Sequence, residues 1–148
     1  MARGIKDRMF AAFPLLALPV LLYNLLVLTI VGGYSSADAQ SRMAAQLFAI
    51  HTASRAVWSI SVSDLLLAAA LVVLFVELLK STTSRQVAII NHSLSMILFI
   101  VCLVEFLLFP AFATSAFFLL TLMVLLDVLA GFIVTIVAAR REIDFHGN

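Results

Sequence analysis

Five ionisable side chains, Asp64, Glu77, His92, Glu105 and Asp127, fall inside long apolar stretches of the chain. A charged aspartate in mid-membrane costs about 2.5–3.5 kcal/mol on insertion scales, so such groups face other helices or water and are functional candidates. Asp64, Glu105 and Asp127 have no basic residue predicted among them, Arg55 being the nearest at the outer edge. Three acids lining one interior could pass protons or hold a cation. The alternative is helix packing, with polar side chains bonding across a bundle.

Spacing supports both readings. Asn91, Ser95, Leu98, Cys102 and Glu105 follow a 4-3-4-3 pattern and share one helix face. Ser61, Asp64 and Ala68 make a similar set, and Asp127, Gly131, Thr135 and Ala139 are each four apart. Small residues at that interval let helices approach closely. Glu77 precedes Lys80 by three residues, the spacing of an ion pair on one face, and is expected to snorkel with it to the interface.

Other chemistry finds less material. His51, His92 and His146 lie at different depths, so they cannot bracket a haem within one chain. His92 alone could bond a quinone carbonyl, although a helix-contact histidine is the plainer reading. Cys102 is the single cysteine, which excludes an intrachain disulfide or a CxxC pair. There is no GxSxG, HExxH, P-loop or GxGxxG. No enzyme activity, metal or resident cofactor is expected, only lipid contacts. No motif names a family.

The elements that position these residues follow from composition. Of 148 residues, 64% are hydrophobic and 11% charged, against about 25% charged in ordinary soluble domains, so lipid is the natural cover. A spanning helix needs roughly 20 apolar residues. Four stretches qualify, at about 10–33, 57–79, 87–109 and 111–139. The fold expected is an all-α four-helix membrane bundle forming one domain over 1–148. Gly32 and Gly33 close the first stretch, and Pro110 ends the third. Thr114 or Ser115 is placed to cap the fourth. Arg3, Lys6 and Arg8 before an apolar run resemble a signal peptide, with Ala37-Asp38-Ala39 as a cleavage site. The run exceeds the roughly 7–15 residues of a signal core, so a retained helix is expected.

Residues 35–56 form the longest connection. Met43, Leu47, Ile50 and Val57 recur at helical spacing, which predicts a short amphipathic segment on the outer surface. Tyr34 and Trp58 belong at the outer interface. Residues 140–148 read as a partly ordered polar tail.

Orientation follows from basic residues in short loops. With both ends cytoplasmic, Arg3, Lys6, Arg8, Lys80, Arg85, Arg140 and Arg141 lie inside, and only Arg42 and Arg55 outside. Inner-membrane placement is expected. A net charge of +1 gives no case for nucleic acid. The leading expectation is an accessory or assembly subunit of a membrane complex, self-associated or bound to larger subunits. Proton or cation translocation through Asp64, Glu105 and Asp127 is the second reading, and a quinone-contacting redox subunit using His92 the third.

Overall fold

The structure is a computed structural model that describes residues 13–80 and 85–146. The basic residues Arg3, Lys6 and Arg8 lie outside those residues. The fold is mostly helical. Helix α1, Ala17–Leu26, continues through a wider turn over Val27–Val31. Helix α2 is Ala39–Met43, and strands β1, Gln46–His51, and β2, Val57–Ser61, pair antiparallel. Helices α3, Val62–Lys80, α4, Arg85–Leu108, and α5, Ser115–His146, follow.

Three helical segments, Val62–Lys80, Ile89–Leu108 and Ser115–Val134, are long and apolar enough to cross a membrane. Ala17–Val31 is apolar but shorter. Fifteen residues rise about 22 Å, below a hydrocarbon core of about 30 Å. Among the described residues the four-span expectation is therefore met by three helices of spanning length. The first stretch still packs with them: Leu16, Val20, Tyr23 and Val27, one face of α1, are buried. Leu18, Leu21, Leu25 and Leu28 point outward. Its end is closed where expected. Gly32 adopts a φ of 92°, and the Gly32 and Gly33 N–H groups both donate to the Val27 carbonyl at 3.1 Å. Arg42 Nη1 covers the neighbouring Ile30 carbonyl at 3.1 Å.

The outer connection departs from the expected helical segment, and from a second span beginning at Val57. Only Ala39–Met43 is helical, and β1 and β2 form a hairpin. The residues permit either structure, because Leu47–Ile50 is a short apolar run that suits a strand as well as a helix, Trp58–Ser61 alternates with period two, and both stretches carry aromatic and β-branched side chains. The register pairs Ile50 with Trp58 and Phe48 with Ile60, which makes one face wholly apolar. Ala49, Ser59 and His51 stand on the other. Arg55, at a φ of 64°, turns the chain between the strands.

Thr114 caps α5: its Oγ1 accepts the Phe117 N–H at 3.1 Å, and Gln40 Oε1 accepts the Ser115 N–H at 3.1 Å. At its other end α5 continues to His146, where a tail was expected. Ala138 through Glu142 are good helix formers with no breaker among them. Tyr23, Phe112 and Phe117 stack in the core near the hairpin end, with ring centroids 4.7–5.7 Å apart. The Tyr23 hydroxyl shares a 2.5 Å hydrogen bond with Thr114 Oγ1.

Candidate functional site

A buried polar cluster lies at the end of the bundle opposite the hairpin. The last turn of α3 carries Glu77 and Lys80, paired at 3.1 Å. The pair forms at the spacing the sequence suggests, but Glu77 does not reach water; it is fully buried. The reason is its partners. Oε2 accepts the Leu15 N–H at 2.7 Å, and Oε1 accepts the Asn91 amide of α4. Lys80 Nζ also donates to Asn91 Oδ1 at 3.2 Å and to the Phe13 carbonyl at 2.5 Å. One ion pair thus joins α3, α4 and the chain leading into α1. Removing one partner of a buried pair is costly, because the other charge is stranded.

About one helix turn further into the bundle, Asp127 of α5 is fully buried and accepts the Ser95 hydroxyl at 2.5 Å through Oδ2. Glu77, His92 and Lys80 lie within electrostatic reach of it. Two polar groups here lack a hydrogen-bond partner among the described residues: Asp127 Oδ1 and the imidazole of His92, at both ring nitrogens. His92 is 9% exposed. Its ring packs against α5 at Gly131, where a Cβ would stand 1.9 Å from the ring. The ring also lines a groove of about 410 Å³ between α4 and α5, with Ile89, Ser93, Met96, Val128 and Phe132.

Glu105 and Asp64 sit elsewhere. Glu105, half-buried on α4, accepts the Asn24 amide of α1 at 3.4 Å, and Asn24 Oδ1 accepts the Tyr34 hydroxyl at 3.0 Å. Asp64 is exposed at the start of α3. It accepts the Ser61 N–H at 2.9 Å, and Ser61 Oγ accepts the Asp64 N–H at 3.2 Å. That reciprocal pair is a capping box, with aspartate in the place usually held by glutamate or glutamine.

The three acids do not share an interior. Asp64 precedes Glu77 by thirteen residues on α3, about 20 Å at a rise of about 1.5 Å per residue. Glu105 follows Ser95 by ten on α4, about 15 Å. The α4 stripe is real: Asn91, Ser95 and Cys102 are all buried. The proposed α3 face is not, because Leu66, Ala70, Leu74 and Glu77 turn inward while Ala68 is exposed. The Thr135 and Ala139 side chains lie outside the described residues. Among the described residues no three His, Cys, Asp or Glu side chains gather as a metal-holding group.

Two features of the cluster are not visible as motifs. The Leu15 N–H and Phe13 carbonyl are backbone groups, so no side-chain pattern announces them. Gly131 as a seat for His92 is foreshadowed only by its place four residues after Asp127. The chain matches no family model, no curated protein and no solved structure in the comparisons made.

Proposed function

We propose that this chain is a small multi-pass protein of the inner membrane that serves as an accessory or interaction subunit of a membrane complex. The apolar stretch from about Phe10 to Gly33 acts as a fourth crossing, and both ends face the cytoplasm. The packing of Leu16, Val20, Tyr23 and Val27 against the other helices, with leucines outward, supports the fourth crossing.

The observation that carries the functional reading is the distribution of embedded acids. Asp64, Glu105 and Asp127 occupy separate levels, each bonded to its own local partners. Glu77 is spent on Leu15, Asn91 and Lys80. Charge placed this way holds helices together, whereas conduction needs groups in relay. The hairpin adds a surface for contact, since Phe48, Ile50 and Trp58 are exposed on one apolar face.

The test is cross-linking in native membranes from photoreactive residues placed at Trp58, and at Ile133 as an outward control on α5. A discrete protein adduct from Trp58 and only lipid adducts from Ile133 is the expected result. Lipid adducts alone from both positions, together with recovery of a lone monomer after mild extraction, would contradict the reading. So would proton flux in proteoliposomes that Asp127→Asn abolishes.

A further inference from the structure

We infer that the outward seam between α1 and α4 docks a transmembrane helix of a partner subunit, one that carries a lysine or arginine in its outer third to pair with the Glu105 carboxylate. Such docking rests on the accessory reading and gives the partner a chemistry.

Of the acids inside the apolar stretches, Glu105 is the one left short of partners and still reachable. Glu77 and Asp127 are fully buried, and Asp64 closes the start of α3 with Ser61. Glu105 is half-buried, and its Oε2 accepts one 3.4 Å bond from the neutral Asn24 amide. Its Oε1 has no hydrogen-bond partner among the described residues and is not enclosed. No basic side chain pairs with it there, and Arg42 is turned to the Ile30 carbonyl. Glu105 lies three residues inside the end of the Ile89–Leu108 segment, about 5 Å at a rise of about 1.5 Å per residue. Helical side chains lean toward the N-terminus of their helix, which here points away from the nearer membrane boundary. Snorkelling outward therefore works against the helix geometry. Intramembrane acids held in this way pair with a basic partner.

The surroundings suit a helix. Leu21 and Leu28 stand one turn to either side of Asn24 on α1, and Val101 and Leu108 one turn to either side of Glu105 on α4. All four are exposed, so they make an apolar stripe with the carboxylate in its middle. A second copy of the chain is not the occupant, because its four apolar stretches contain no lysine or arginine. Lipid chains cover the leucines but offer Oε1 no donor. A neighbouring helix with a base at the same depth supplies both the apolar contact and the charge.

The experiment measures energy transfer between the labelled full chain and labelled single-span leucine–alanine peptides in phosphatidylcholine vesicles. One peptide carries lysine three residues inside one end, about 5 Å, and its twin carries glutamine there. The wild-type chain should associate about fivefold more tightly with the lysine peptide, in the range that interhelical polar contacts give in bilayers. The preference should vanish in Glu105→Gln and persist in Asp64→Asn. Equal association of the wild-type chain with the two peptides would overturn the proposal. So would a preference that survives Glu105→Gln, or one lost equally in Asp64→Asn, which would assign it to general surface charge. A Trp58 protein adduct alongside equal peptide association would leave the accessory reading standing without this pairing, so the two fail separately.

Discussion

The two ends of the bundle use different polar groups. At the hairpin end helix caps and neutral side-chain contacts prevail, some of them long-range, such as Tyr23 with Thr114 and Gln40 with Ser115. Asp64 bonds Ser61 three residues away, Thr114 bonds Phe117, and Arg42 covers Ile30. At the other end the bonds span the chain. Glu77 meets Leu15 and Asn91, and Ser95 meets Asp127, at separations of 62, 14 and 32 residues. Caps define where elements begin and end. The buried cluster defines how they are arranged against each other, and its loss costs more.

The largest effect should come from stranding the buried carboxylate. Lys80→Met is expected to destabilise the folded chain by about 3 kcal/mol, measured by reversible unfolding in mixed micelles. Adding Glu77→Leu should recover much of that loss. A Lys80→Met variant within about 0.5 kcal/mol of the parent would erase the contrast between the ends. Next is Gly131→Ala, whose new methyl group meets the His92 ring. A loss of about 1–3 kcal/mol is expected, partly relieved by His92→Ala, because overpacked interiors are strained. Equal penalties in the two His92 backgrounds would show that the ring is not seated there.

Asp64→Ala tests the capping end, with a loss of about 1 kcal/mol. Glutamine at position 64 should restore part of it, since a longer side chain can still close the box. Phe48→Ser should be smallest, within about 0.5 kcal/mol, as for exposed positions generally. It should instead reduce any protein cross-link formed from Trp58. A large stability loss there would mean that the hairpin face packs within the chain.

Much of this contrast is legible in the residues, and the illegible part has physical causes. Proline at 110 and the glycines at 32 and 33 mark element ends because they restrict or free the backbone locally. The α4 stripe is legible because helical period alone puts Asn91, Ser95 and Cys102 on one face. Helix rotation about the axis is not contained in such patterns. Asp64 and Asp127 therefore look alike in the sequence, although one closes a helix start and the other bonds a neighbouring helix. The Ser-x-x-Asp spacing at 61–64 does carry the capping signal, and only the apolar run beside it makes the acid look embedded. The hairpin is missed because Met43, Leu47, Ile50 and Val57 recur at helical spacing, while the short apolar run Leu47–Ile50 suits a strand as well as a helix. Glu77 looks interfacial from its spacing to Lys80; its burial depends on backbone groups sixty residues earlier.

The central claim is that embedded charge binds helices together locally and does not form one connected site. Double-mutant cycles measure that connection directly. Glu77→Gln with Asn91→Leu should show a coupling of about 1 kcal/mol or more, while Asp64→Asn with Asp127→Asn should be additive within about 0.5 kcal/mol. Strong coupling between Asp64 and Asp127, with none between Glu77 and Asn91, would contradict it.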